Sequence, residues 1–391
     1  MSARFSDQDR RRRLVARHHL GRTATTPLEV TRSVAALHST DPATPYLANW
    51  ARVPNFEIEH LEDALYEQRI MRRMHTIRRT LFVVPMEDAA SFEAGGAREV
   101  AAKERTRLVG WMSAEMDPSL VDPLLAELAD RIIAVLGDEE KSTRDLTAAI
   151  PGLATEVAVG QGKWSVRVPL STRLLFILAM DGLLVRTRPA GSWRSSQYNW
   201  AAVEAWNGGK QPRYQVEEGQ AVIAHRYLTT HGPVTMTDLR WWTGWTVKAV
   251  KTALSAIDTV TVELDSGEPG FVLRGDAKLD PLGGKAVALL PGLDSTPMGW
   301  KDREWYLGPH SKEVFDSNGN AGPTVWVDGR IVGGWAQTPD GEVVYDLLED
   351  VDSRSGDLIR DEAASLTAWL DGVVVMPRFP SPLGKRLSAH S

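Results

Sequence analysis

The sequence predicts an α+β chain of three tandem winged-helix units followed by a C-terminal β-barrel. Three observations predict it. First, the order helix, capped helix, third helix and β-hairpin recurs three times. Second, from Ala286 onward short β-type runs alternate with turn residues, with no further helical grammar until 361–370. Third, a chain of 391 residues accommodates several domains at roughly 100–200 residues each. The predicted units are 1–113, 114–215, 216–280 and 281–391.

In the first unit, residues 11–19 read as a helix. Thr26-Pro27 then offers an N-cap with proline at the first helical position. Leu28, Val30, Val34 and Leu37 form one face of a helix predicted over 27–37. His38-Ser39-Thr40 follow at its end, just before Asp41-Pro42. A further helix carries Ile58, Leu61, Ala64, Leu65 and Ile70, and 71–85 mixes basic and apolar residues as a strand or hairpin does.

In the second unit, 120–136 is an amphipathic helix, and Ser142 to Asp145 resembles a capping box opening a short helix to Ile150. A Gly-rich connection, 152–162, leads to a helix over 169–180. Residues 181–200 read as strand, turn and strand, with the turn at Pro189-Ala190-Gly191. The third unit repeats the order. A helix over 221–230 breaks at His231-Gly232-Pro233, Thr235 and Asp238 form a capping box for a helix ending at Gly244, and Thr246 caps a helix over 247–257. Strands at 260–264 and 270–273 follow. In the last unit, 286–290, 324–337 and 342–350 are β-type. Asp328-Gly329 is a two-residue hairpin signal, 361–370 reads as a helix and 372–377 as a last strand. This unit is expected to close as a small barrel or curled sheet.

Composition excludes several classes. Without cysteine there is no disulfide, zinc–thiolate site, iron–sulfur cluster or cysteine nucleophile. No run reaches the ~18 apolar residues of a membrane helix, and MSARFSDQDRRRR lacks the apolar segment of a secretory signal. A cytoplasmic location follows, with no membrane partner. Phosphate-loop, dinucleotide, His-Glu-x-x-His and Gly-x-Ser-x-Gly signatures are absent. His18 and His19 are adjacent and point apart on a helix, so they share no metal. Neither a metal nor a cofactor is expected.

The net charge of −6 conceals an asymmetry. Residues 1–113 carry 18 Lys/Arg against 14 Asp/Glu, residues 161–215 carry 8 against 2, and residues 276–391 carry 11 against 18. A basic front and middle fit one anionic partner. Arg69, Arg72, Arg73, Arg78 and Arg79 form one basic cluster. Lys163, Trp164, Arg167, Arg186, Arg188, Trp193 and Arg194 form a second, around the third helix and hairpin of unit two. Guanidinium and ammonium groups neutralise phosphates, and tryptophan stacks on bases. Arg78, Arg79 and the whole second cluster are therefore candidate DNA contacts. Trp241-Trp242 reads as helix packing. Asp294 and Arg303, in the loop 293–305, are candidate lesion or DNA contacts, with a structural ion pair as the alternative.

Five segments together resemble the winged helix DNA-binding proteins of the AlkZ/YcaQ type. They are LHSTDPATPYLANWARV (37–53), RRTLFVVP (78–85), HGPVTMTDLRWWTG (231–244), LLPGLDSTPMGWKDREWYLG (289–308) and NGNAGPTVWVDGRIVGGWAQ (318–337). The resemblance implies three winged helices, a C-terminal barrel and a monofunctional DNA glycosylase acting on bulky N7-alkylguanines or crosslinks in double-stranded DNA. Some members of the family serve self-resistance in producers of DNA-damaging natural products. A monomer without an obligate protein partner is expected. The family's Gln-x-Gln falls on His38 and Thr40, so these two and Asp41 are the catalytic candidates. His38 or Asp41 is the candidate base, and Thr40 orients the water. Phe82 stands where the family often has histidine. An N7-alkylated guanine leaves as a cation, so stabilising the oxocarbenium-like sugar and positioning water are the main demands. The alternative from another class is a non-enzymatic winged-helix DNA binder or transcription regulator, although no dimerisation helix is evident.

Overall fold

Side-chain caps set several helix starts. Ser6 and Asp9 form a capping box for the helix Asp7–Arg17, Thr26 caps Pro27–Ser33, and Ser142 with Asp145 opens Thr143–Ala149. Thr235 with Asp238 opens Met236–Thr243, which stops at left-handed Gly244, and Thr246 opens Val247–Ser255. A computed structural model describes residues 3–160, 162–278 and 284–389. The predicted boundary at 280/281 lies outside the described residues.

The helix predicted over 27–37 ends at Ser33. Ala35 takes a positive φ, and Leu37–His38 becomes an edge strand, β1. It pairs with Leu81–Pro85 (β3), which also pairs with Met71–His75 (β2). Apolar spacing alone supports helix through Leu37, and the partner strand 44 residues further on overrides it. The sheet order is β1-β3-β2, all antiparallel.

In the second region, helices Pro118–Leu136, Thr143–Ala149 and Leu170–Met180 precede the hairpin Leu184–Pro189 (β6) and Tyr198–Ala202 (β7). The stretch 152–162, predicted as a plain connection, instead starts a second hairpin of Glu156–Val159 (β4) and Val166–Pro169 (β5). The third region runs Val216–His231, Met236–Thr243, Val247–Ser255, then the hairpin Thr259–Leu264 (β8) and Pro269–Leu273 (β9).

The C-terminal region corrects two expectations. Val287–Leu290 (β10), Thr324–Val327 (β11), Arg330–Gln337 (β12) and Val343–Leu347 (β13) form an open antiparallel sheet in that order, not a closed barrel, among the described residues. The long helix Ser353–Leu370, capped by Asp352 and begun eight residues before the predicted start, packs on β10 and β13. Residues 372–377 form no strand. The side chain of Gln337 takes up their backbone instead, accepting from Val375 N–H and donating to Val373 O. A side-chain clamp satisfies these groups without a ladder.

Two apolar cores result. The larger runs from Leu14 to Leu370 through the first, third and C-terminal regions and takes in Val185, Trp193, Ala201, Val203 and Trp206 of the second. The other, from Leu108 to Trp200, belongs to the second region. Close backbone approach welds the first and third regions: a Cβ on Gly219 would stand 2.5 Å from the Gly95 nitrogen. No helix among the described residues is long and apolar enough to cross a membrane.

Candidate active site

Strand alternation puts His38, Phe82 and Met74 on one face of the β1-β3-β2 sheet, and Arg73 and His75 on the other. His38 is buried, opposite Phe82, whose ring it meets edge-on at 5.3 Å. Phe82 on β3 is thus the direct cross-strand neighbour of this imidazole. The His38 backbone N–H donates to Ser295 Oγ at 2.9 Å, and Ser295 Oγ donates on to Ala36 O at 2.7 Å. Burial lowers the His38 pKa to about 4, helped by Arg78 and opposed by Asp294. The imidazole is therefore neutral at pH 7. Its Nδ1 faces the Thr40 N–H at 3.5 Å.

Thr40 is half-buried beside it. Asp41, by contrast, is fully engaged. One oxygen accepts from Ala43 N–H at 3.1 Å and the other from Arg378 N–H at 2.9 Å. Asp41 thereby ties the triplet to the C-terminal tail, and Arg378 Nη1 also reaches Thr40 O at 3.4 Å. A cavity of about 20 Å³ beside Asp41, Ala43 and Thr44 has room for a water molecule but not for a base.

Asp294 proves to be a structural group. It and Arg52 are both fully buried and form a bidentate pair at 2.8 and 2.9 Å. Arg52 also donates to His18 O, Ala48 O and Thr296 Oγ1. Its ion-pair partner is 242 residues away in sequence, which no local pattern could disclose. Arg303 is held by Trp300 O and lies over the rings of Trp241 and Phe315. For Asp294 the structure thus shows the structural ion pair, while Arg303 is half-buried among aromatic rings.

The basic cluster of the second region divides. Trp164, at the tip between β4 and β5, is 76% exposed, and Val166 beside it is 57% exposed. The side chain of Lys163 lies outside the described residues. Arg167 is exposed but pairs with Glu115 and Glu156. Arg188 pairs with Glu62 and Glu67, and Arg194 donates to Val374 O. Trp193 is buried against Tyr46 and Trp369, out of reach of a base. Arg186 is half-buried over Tyr198 and Trp200. In the first region, Arg79 pairs with Glu104, and Arg78 lies over Trp241 and donates to its carbonyl. Sequence reading overlooked Arg378 and Tyr198, which carry no motif signal.

His38, neutral and buried in an edge strand, with half-buried Thr40 two residues on, forms a polar pair able to hold a water. The sequence model of the AlkZ-like DNA glycosylase family matches residues 31–369, and the chain belongs to that family. It is accordingly a DNA glycosylase. Among solved structures, the Streptomyces sahachiroi DNA glycosylase AlkZ is similar, with a TM-score of 0.72 at 20% identity, over 96% of this chain and 99% of that one. At that identity the likeness speaks for the α+β fold. No curated protein matches the sequence.

Proposed function

We propose that the chain is a monofunctional DNA glycosylase that hydrolyses the N-glycosidic bond of a bulky N7-alkylguanine in duplex DNA. On this reading the three helix–hairpin regions act as winged helices, the protein works as a monomer, and it serves self-resistance to a DNA-alkylating natural product. The observation that carries it is the neutral His38 beside Thr40, at the position of the family's polar pair. His38 and Thr40 hold the attacking water. With its pKa near 4, His38 is a weak base, so it positions water more than it deprotonates it. Its neutrality also has a use. A charged imidazole would repel both the cationic guanine and the oxocarbenium-like sugar. Asp41, with both oxygens holding backbone N–H groups, serves the loop rather than the water.

The exposed Trp164 hairpin is the best-presented aromatic for a base step. Arg78, Arg79, Lys163, Arg167, Arg186, Arg188 and Arg194 remain candidate phosphate contacts, and those already paired would exchange a carboxylate for phosphate.

The test is incubation with duplex carrying a bulky N7-alkylguanine, followed by alkali and by chromatography of the released base. A free modified base and an alkali-labile site are expected. Tight binding with no release across several such lesions would sink the enzymatic reading and favour a non-enzymatic DNA binder.

A further inference from the structure

The face of the sheet opposite His38 carries cations without counter-ions. Arg73 is 1% exposed, yet none of its three guanidinium nitrogens has a hydrogen-bond partner. The hydroxyls of Tyr66 and Tyr198 around it are also buried and unpartnered, and the Tyr46 hydroxyl approaches Arg73 without forming a well-aligned hydrogen bond. Arg186 shares the Tyr198 ring with Arg73, their guanidinium carbons lying 5.4 and 5.1 Å from its centroid. Arg378 acts on Arg186 as a third like charge and reaches the carbonyl of Thr40. Among the described residues, no carboxylate forms an ion pair with Arg73, Arg186 or Arg378, whereas Arg167 and Arg188 nearby are each paired twice.

Buried cations are ordinarily paired, and like charges repel strongly where water is excluded. A phenol ring shared by two guanidiniums offsets only part of that repulsion. The three arginines step inward from exposed Arg378 through half-buried Arg186 to buried Arg73. The outermost of them, Arg378, is the one that reaches the Thr40 carbonyl. The partner this protein handles is DNA, and its anion is the phosphodiester.

We propose that Arg186 and Arg378, with Arg73 behind them, seat a backbone phosphate of the DNA strand presented to Thr40. Arg186 and Arg378 donate to the phosphate oxygens. Arg73 does not touch DNA; it is a positioning residue that holds Tyr198 and adds its charge to the seat. Such a contact carries no sequence information but sets the strand's register on the protein. The inference rests on the glycosylase reading for its ligand.

The test uses the full chain and an undamaged duplex, with binding followed by fluorescence anisotropy from low to moderate salt. Arg186→Gln and Arg378→Gln are each expected to lower the slope of log Kd against log salt by about 1. Arg186→Lys should restore it. Arg73→Met should weaken binding in the wild-type background and add nothing to Arg186→Gln. Unchanged slopes in variants with the wild-type melting temperature overturn the seat, and so does full additivity of Arg73→Met with Arg186→Gln. Inorganic phosphate should compete no better than chloride at equal ionic strength. Selective competition lost in Arg186→Gln would assign the site to free phosphate and overturn the backbone assignment. Base release plays no part in these measurements. Altered slopes in a protein that releases no base leave the seat standing and fell the proposed reaction; release with unaltered slopes does the reverse.

Discussion

His38 and Arg73 stand on one three-stranded sheet, and their surroundings are opposite. On the His38 side, hydrogen bonds and an ion pair tie distant segments together: Ser295 relays from His38 to Ala36, and Asp294 closes on Arg52, although Ser39 Oγ and two nitrogens of Arg72 there are buried without partners. The imidazole itself is kept neutral. On the Arg73 side, a guanidinium and two phenols are buried without partners, and a second guanidinium shares one of the rings. The first face joins regions of one continuous core, while the second lies at the seam with a region that has its own core. The difference teaches that a face whose ion pair is closed gives rigidity, whereas a seam of arginines without carboxylates is held in reserve for a ligand.

The largest effect that would break the comparison comes from acid. Burial lowers the pKa of His38 to about 4 and of His75 and His231 to about 3, and holds His18 well below its usual value. In the unfolded chain each titrates near 6.5. Between those limits the unfolded state binds more protons, so stability is full above pH 6.5 and falls as pH drops toward 4. Each histidine contributes a slope of about 1.4 kcal/mol per pH unit, and the four together about 5. Urea unfolding at pH 7.5, 6.5 and 5.5 should show this loss, and an unchanged midpoint would refute the neutral burial.

Next in size is Asp294→Ala. It leaves Arg52 charged and buried, at an expected cost of about 3–5 kcal/mol. Replacing both partners, as Arg52→Met with Asp294→Leu, should recover much of it in the same urea assay. Equal losses in the single and double variants would mean the pair is not the clamp described.

Smaller effects sharpen the chemistry. His38→Ala and Thr40→Ala should each slow base release about 10–100-fold, some 1.4–2.7 kcal/mol in the barrier, with DNA affinity unchanged. Over the range in which circular dichroism shows the chain folded, the wild-type rate should pass pH 6.5 without the half-loss of an exposed imidazole base. A midpoint near 6.5 would contradict a buried neutral His38. Trp164→Ala should weaken duplex binding by about 1 kcal/mol if the hairpin stacks on a base. Arg167→Ala should change binding least, because its carboxylate partners already screen it.

Much of the fold was legible where a local rule operates. Thr235 with Asp238, Thr246 and Ser142 with Asp145 signalled helix starts because a cap needs only a few neighbouring residues. Asp328-Gly329 signalled its hairpin because both residues must adopt positive φ. The site was half legible. The triplet frame located His38 and Thr40, but the helix expected through Leu37 concealed that His38 sits in a strand. The basic residues were visible as a composition, yet their roles were not. Arg188 and Arg194 spend their donors on partners from distant parts of the chain, Trp193 turns into the core, and Arg378 was overlooked.

By itself, then, the sequence determined the order of capped helices and hairpins, the absence of thiol chemistry, and the family frame around 37–53. Each depends on residue type or on spacings shorter than a few turns. Only the tertiary structure decided that the C-terminal strands stay an open sheet, that Asp294 belongs to Arg52, that His38 is neutral, and that Arg73 and Arg186 meet over Tyr198. Burial and long-range pairing set these outcomes, and both depend on which distant segments come to share a surface.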